Sequence, residues 1–260
     1  MKTYVTADTR LPFDIAYLRY GDTPGVVGPY NGERVKDTRI NHWMLKNNTD
    51  DFLLMPPVAI GFVERCQSFL THRGMEDIWR KRYAYLTIDT KTVESGEAQR
   101  TVGWHIDGMQ GDEVLIKVPP DITFVWCNDL PTRFSSSDLN LTDLNTSKDN
   151  VFAAMEKRIQ LKDTFFIDPG IIYYITAYMP HTGEIARRQI VNRVFMRLGF
   201  SLTPITSVRM TVNPRIVYNY PIHKTSGEIP AHLKKETNAI YNGEPVNRRG
   251  ARRRALRRAL

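Results

Sequence analysis

The segment QIVNRVFMRLGFSLT, residues 189–203, decides the fold class, because it combines the alternation of a β-strand with β-branched and aromatic residues. Successive side chains of a strand point to opposite faces. One face of this strand then carries two arginines on either side of an aromatic residue: Arg193, Phe195 and Arg197. The other face is apolar, with Val194 and Met196. A buried arginine is costly without an anion beside it, so the first face indicates an anion-binding site.

Seven further segments have strand character: YAYLTID (83–89), TVGWHID (101–107), EVLIKV (113–118), ITFVWC (122–127), DTFFID (163–168), GIIYYITAYM (170–179) and TSVRMTVNPRIVYNY (206–220). Three segments have helical spacing: VAIGFVERCQSFL (58–70), GMEDIWRKRYA (74–84) and NVFAAMEKRIQL (150–161), the last with Asp149 or Asn150 as its N-cap. Alternating strand–helix units are absent, which argues against a doubly wound parallel sheet. We predict a mostly β protein with flanking helices (α+β), built as a sandwich or barrel.

The length of 260 residues suits one large domain with its own core. We predict a single domain over residues 1–241, with the β core at about 80–220 and a helical or irregular N-terminal part. A basic tail over 242–260 follows and is predicted to be disordered.

The positive charge of the chain is concentrated in that tail. The formal net charge is +8, and residues 248–260, RRGARRRALRRAL, contain seven arginines and no acid. Without those seven, 29 Lys and Arg face 28 Asp and Glu, which leaves +1. The body is therefore nearly neutral, and the sequence predicts nucleic-acid contact through the tail alone, as a phosphate anchor without sequence readout.

Two cysteines without CxxC spacing, Cys66 and Cys127, indicate reduced thiols rather than a disulfide framework. The start of the chain lacks the apolar region of a secretory signal, and no apolar run reaches the roughly 18 residues of a membrane span. We therefore expect no membrane partner and a cytoplasmic location, which includes that of a viral or phage protein acting in a host cytoplasm.

The segment GWHIDG, residues 103–108, holds a histidine and a carboxylate two residues apart. On a strand, His105 and Asp107 would project together, with Ile106 turned to the opposite layer. An imidazole and a carboxylate suit Fe(II), and two histidines with one carboxylate on one face leave positions open for oxygen chemistry. A second histidine must then come from another strand.

His181 is the choice for this second histidine. It stands at the end of the predicted strand GIIYYITAYMPH, directly before the turn TGE, where a side chain can face a pocket mouth. The remaining histidines sit in irregular or helical surroundings: His42, His72, His223 and His232. The sequence therefore predicts a metal site formed by His105, Asp107 and His181.

The ordered set of His105, Asp107, Pro169-Gly170, His181 and Arg193 resembles the Fe(II)/2-oxoglutarate-dependent oxygenase superfamily over roughly residues 80–202. The resemblance implies a double-stranded β-helix of jelly-roll type, with Fe(II) held by the two histidines and Asp107. It also implies 2-oxoglutarate as cosubstrate, with its distal carboxylate on an arginine. Family members often have a small hydroxyl residue two positions after that arginine, but the residue two positions after Arg193 is Phe195. This departure leaves open whether Arg193 or Arg197 binds the cosubstrate, and Arg193 is preferred.

The resemblance implies a dioxygenase that hydroxylates a substrate. A nucleobase or nucleic acid is slightly favoured over a protein side chain or a small molecule, because of the tail. Two alternatives stay open. One is a non-catalytic jelly roll, a binding or viral structural protein with an arginine-rich nucleic-acid-binding tail. The other is an isomerase or hydrolase that uses the triad without 2-oxoglutarate. The sequence does not specify an oligomeric state.

Overall fold

The computed structural model describes residues 14–20, 22–32, 35–48, 55–107, 121–145, 149–202, 204–205, 210–211 and 213. The predicted strand at 113–118, most of the one at 206–220, and the arginine-rich tail at 242–260 lie outside the described residues. His223 and His232 lie outside them too.

Two antiparallel sheets form the centre of the described structure. The larger contains β1 (Gly25–Pro29), β2 (Arg39–Lys46), β3 (Tyr83–Val93), β4 (Ile122–Cys127), β7 (Ile171–Thr176) and β9 (Ile190–Ser201), in the order β1-β7-β4-β9-β3-β2. The smaller contains β5 (Arg133–Ser135), β6 (Thr164–Phe166) and β8 (His181–Thr182), in the order β6-β5-β8. The mostly β class predicted from the sequence is confirmed, and all of these strand pairs are antiparallel.

The longest strand, β9, separates two apolar layers by its alternation. Val194, Met196, Leu198 and Phe200 are fully buried in a core that also contains Phe62, Val63, Cys66 and Leu70 of helix α1 (Ile60–His72). Phe195 faces the other way and packs with Phe134 of β5, in the layer between the two sheets. The described part of the molecule thus has a helix layer, a large sheet and a small sheet, and the arginine-bearing face of β9 turns toward the small sheet.

The three helices follow the sequence signals closely. Helix α2 (Glu76–Lys81) has two acids in its first turn and two bases in its last, as the helix dipole favours. Helix α3 (Val151–Arg158) is capped by Asn150, whose Oδ1 accepts a hydrogen bond from Ala153 N at 3.0 Å. Of the two predicted caps, Asn150 is therefore the one in use. Short 3-10 turns occupy Ile15–Tyr20, Pro57–Ala59 and Leu161–Asp163.

Two predictions of strand extent were wrong. The segment at 101–107 is not a strand, and only His105 makes an isolated bridge, to His181. Gly103 has φ +106°, which interrupts an extended backbone, and Ile106 packs in a separate core with α3. Strand β7 ends at Thr176 rather than continuing to His181, which begins β8 in the other sheet.

Both cysteines are free, as predicted, and both are buried. None of the helices in the described part of the chain has the length and apolarity that a membrane crossing requires.

Candidate functional site

A cavity lies between the two sheets and brings together residues that are far apart in the sequence. Its polar lining consists of Arg100, Thr101, His105, Asp107, Thr132, His181 and Arg197, with Gly183. Its apolar lining consists of Val125, Phe134, Ile175 and Phe195. The three residues predicted from GWHIDG and the turn at 181 therefore share one cavity.

The backbone holds the two histidines side by side. His105 N donates to His181 O at 3.0 Å, and His181 N donates to His105 O at 2.9 Å. These reciprocal bonds form the bridge and leave the ring centroids 4.5 Å apart. His181 was expected at the end of the strand that begins at Gly170, but it lies at the start of β8 and pairs with His105. This pairing places the two imidazoles next to each other although they are far apart in the sequence.

Each imidazole is oriented by a carbonyl two residues before it. His105 Nδ1 bonds to Gly103 O at 2.7 Å, and His181 Nδ1 bonds to Met179 O at 2.9 Å. A carbonyl can only accept, so Nδ1 of each ring carries a proton, and a neutral ring of this tautomer has its lone pair on Nε2. Burial lowers the pKa of His181 to about 4, although Asp107 opposes the shift, so this ring is neutral at pH 7.

Asp107 completes the group as an ionised carboxylate. Its Oδ1 lies 3.3 Å from Arg197 Nη1 and 4.0 Å from His181 Nε2. Burial alone would raise its pKa, but Arg197 first, then the two histidines and Arg100, lower it to about 2. Asp107 therefore carries a negative charge throughout the neutral range.

The donor set suits a divalent transition metal: two imidazole Nε2 atoms and one carboxylate oxygen, each imidazole held from behind by a backbone carbonyl. Within the described ranges, no three His, Cys, Asp or Glu side chains already have the spacing of a metal's ligands. Asp107 Oδ1 is turned to Arg197, so binding an ion requires this carboxylate to move toward the rings.

The sequence predicted that His42 lies in an irregular or helical segment, and this prediction was wrong. It lies in β2, has φ +49°, and its backbone N donates to Thr87 Oγ1 at 3.1 Å. Arg197 Nη2 lies 3.1 Å from His42 Nε2. Burial first, and then Arg197, lower the pKa of His42 to about 3, so the ring stays neutral and accepts from the arginine. His42 thus supports the orientation of Arg197.

The two candidate arginines have different surroundings. Arg193 is 1% exposed, and its guanidinium donates to Asp129 O at 3.1 Å, to Leu130 O at 2.7 Å and to Gln99 Oε1. It is not among the residues that line the cavity, whereas Arg197 is. Arg197 therefore lines the cavity together with the histidines and Asp107. Arg193 lies outside the cavity lining, where backbone carbonyls hold its guanidinium.

Arg100 is a cavity residue that the sequence reading missed. Its guanidinium carbon lies 4.6 Å from the centre of the Phe195 ring. Burial, and then Arg197, lower the pKa of Arg100 to about 10, so it remains charged at neutral pH. It belongs to an irregular segment with no periodicity, and no local signal distinguishes it from the chain's other arginines.

Comparison with known proteins gave structural neighbours only. No family model matches the chain, and no curated protein matches it. AviO1 from Streptomyces viridochromogenes Tue57 superimposes with a TM-score of 0.39 and 12% identity, over 72% of this chain and 93% of that one. EvdO2 from Micromonospora carbonacea var. aurantiaca superimposes with a TM-score of 0.32 and 10% sequence identity, over 56% of this chain and 60% of that one.

YcfD, a ribosomal oxygenase from Escherichia coli in complex with cobalt and 2-oxoglutarate, gives a TM-score of 0.26 and 14% identity. The match covers 69% of this chain and 43% of that one, so the chain spans less than half the length of YcfD. At such low overall similarity, the basis for a functional proposal is the geometry of the site itself.

Proposed function

We propose that the protein is an Fe(II)- and 2-oxoglutarate-dependent dioxygenase, in which His105, Asp107 and His181 hold the metal and Arg197 binds a carboxylate of the cosubstrate. One observation carries the proposal. Two imidazoles, each with Nδ1 bonded to a backbone carbonyl, line one cavity between the two sheets together with the ionised Asp107, whose Oδ1 lies 4.0 Å from His181 Nε2. Neither Nε2 has a hydrogen bond within the described part of the chain, so both are available to a metal.

The protein's residues have separable roles in this proposal. A bound Fe(II) would supply the oxygen activation that a 2-oxoglutarate-dependent hydroxylation needs. The carbonyls of Gly103 and Met179 hold the imidazoles in the ligating tautomer. Arg197 holds Asp107 through Nη1 and would receive an anionic carboxylate, with which a guanidinium can form paired hydrogen bonds. Val125, Phe134 and Ile175 give the cavity an apolar wall, which would limit water at the site.

We also propose that the facing sheets form a double-stranded β-helix of jelly-roll type. The support is the pairing pattern: every strand pair in the described part is antiparallel, and the smaller sheet packs over the larger through Phe134 and Phe195. The cavity lies in this interface, where a jelly roll can enclose a ligand.

The proposed substrate is associated with nucleic acid, on the ground of the seven arginines at 248–260. Truncation before residue 242 tests this part separately. Loss of RNA or DNA affinity without loss of Fe(II)-dependent cosubstrate consumption supports an anchoring tail. Unchanged affinity removes the reason for preferring a nucleic-acid substrate over a protein side chain or a small molecule.

The test of the catalytic proposal is an anaerobic titration with Fe(II) and 2-oxoglutarate, followed by measurement of succinate when O₂ is admitted. We expect saturable binding of both and slow succinate formation without a substrate. His181→Ala should weaken Fe(II) binding by at least about 100-fold, since it removes a ligand rather than a supporting contact. His72→Ala is the matched control, because His72 Nδ1 also bonds a carbonyl, that of Ser68, but on the exposed face of α1.

Circular dichroism and thermal unfolding of each variant separate loss of a ligand from loss of the fold. A well-folded wild type that binds neither Fe(II) nor 2-oxoglutarate would contradict the proposal. It would favour the non-catalytic jelly roll. Metal binding without any keto-acid binding would favour an isomerase or hydrolase.

A further inference from the structure

We propose that Glu156, in helix α3, is a positioning residue for the candidate metal site: its carboxylate holds the backbone amide of Trp104 and so fixes the direction of the neighbouring His105 ring. The inference rests on the proposed function, because it treats His105 as a metal ligand. Glu156 is not among the residues that line the cavity, so it acts on the site through the backbone.

The first step is the direction of the Trp104 amide. The segment that contains His105 is not a strand, yet His105 pairs with His181 through two backbone hydrogen bonds. Along an antiparallel pair, residues whose amides face the partner alternate with residues whose amides face away. The N–H of Trp104 therefore points away from β8 and needs an acceptor on its other side.

The acceptor on that side is a side chain of α3. Glu156 Oε2 accepts from Trp104 N at 3.1 Å. Trp104 is only 7% exposed, and a buried N–H without a partner costs free energy. A carboxylate also forms a stronger hydrogen bond with a backbone N–H than a neutral acceptor does. The bond therefore fastens the segment that bears His105 to α3.

The second step is the contact of α3 with the His105 ring itself. Phe152 precedes Glu156 by four residues, so the two side chains lie on the same face of α3. The Phe152 and His105 rings meet edge to face, with their centroids 6.2 Å apart. Met155 of the same helix packs in one core with Trp104. A shift of α3 relative to this segment would therefore move both the backbone before His105 and the ring.

The third step is the anchoring of α3 at both of its ends. At the start, Asn150 Oδ1 accepts from Ala153 N at 3.0 Å. At the end, Arg158 donates through Nη1 and Nη2 to the two carboxylate oxygens of Asp143, each at 2.8 Å. A ligand is held precisely when its supporting residue lies on a rigid element. These anchors give Glu156 such a support.

The experiment measures the affinity of Co(II) alone for the full chain, without cosubstrate and without O₂. We expect Glu156→Ala to weaken Co(II) binding by about 10-fold, the lower end of the effect of removing a group that orients a metal ligand. Glu156→Gln keeps a side-chain oxygen that can accept from Trp104 N, so its affinity should stay within about three-fold of the wild type. Glu64→Ala, at an exposed glutamate of α1, is the matched control and should leave the affinity unchanged.

Two further measurements separate positioning from a general loss of stability. In the metal-free protein, the Trp104 amide should exchange its hydrogen with solvent faster in Glu156→Ala than in Glu156→Gln or the wild type. Asn150→Ala removes the cap of α3 but keeps the Glu156 bond. At a temperature where this variant is folded, it should bind Co(II) as tightly as the wild type although its melting temperature is lower.

The inference is overturned if Glu156→Ala leaves the Co(II) affinity or the exchange of the Trp104 amide unchanged. It is also overturned if Glu156→Gln binds Co(II) as weakly as Glu156→Ala, because the charge and not the hydrogen bond would then be responsible. An equal loss in Asn150→Ala would assign the effect to the stability of α3 and overturn it too. The proposed function fails separately: a wild type that binds no Co(II) removes the metal site, while hydrogen exchange still decides whether Glu156 holds the Trp104 amide.

Discussion

Replacing Gly183 by alanine should disturb the candidate site through a steric conflict that can be worked out from the backbone alone. A Cβ at this position would lie 2.7 Å from the carbonyl oxygens of both Arg100 and Thr101, and 2.9 Å from the carbonyl carbon of Arg100. Backbone atoms cannot rotate away as a side chain can. Gly183 N also bonds Thr101 O at 2.8 Å, so the two segments cannot separate without losing that bond.

The expected loss of unfolding free energy is about 2 kcal/mol. Overpacking of a well-packed site costs about 1–3 kcal/mol. Alanine recovers about 0.5 kcal/mol by restricting the unfolded chain. Because Arg100 and Thr101 line the cavity, affinity for 2-oxoglutarate, the proposed cosubstrate, should fall together with stability. Urea unfolding measures the first quantity, and anaerobic titration measures the second.

Gly199→Ala is the matched control, since the nearest atom to its added Cβ is Thr123 Oγ1 at 3.8 Å, an ordinary contact. It should change the free energy of unfolding by less than about 0.5 kcal/mol. The reasoning would be refuted if Gly183→Ala unfolds at the same urea concentration as the wild type and binds 2-oxoglutarate equally well. The segment that carries Arg100 would then not lie against Gly183.

Further predictions concern the helices and one buried acid. Asn150→Ala should cost about 1 kcal/mol, because the Oδ1 that accepts from Ala153 N is lost. Thermal unfolding measures this cost, with Asn48→Ala at an exposed bend as the control. Burial raises the pKa of Asp121 from 3.8 to about 6, so the folded state holds this proton more tightly than the unfolded chain does. The resulting stabilisation is complete below pH 3.8 and is lost as the pH rises through about 6. Asp121→Asn should therefore raise the unfolding free energy at pH 8 by about 3 kcal/mol and have little effect at pH 3.5, and an equal effect at both pH values would contradict this assignment.

Local patterns predicted much of the fold. Helices α1, α2 and α3 follow apolar spacing and terminal charges, and the strands β3, β4, β7 and β9 follow β-branched and aromatic runs. The segment around His105 was read wrongly as a strand, because its composition is strand-like and the positive φ of Gly103 has no equally clear signature. Its backbone partner is a residue of β8, far along the chain, and local composition does not report such a pairing.

The sequence by itself determined the residue types of the site and the alternation of β9, since a two-residue period depends only on the order of side chains along one strand. Only the tertiary structure decided which arginines share a cavity with the histidines. Arg193 and Arg197 lie on the same face of β9, yet the carbonyls of Asp129 and Leu130 hold the first while the second lines the cavity. Arg100 and His42 join them from other elements. Those contacts depend on how two sheets and a loop pack together, and packing between distant segments leaves no period in the sequence.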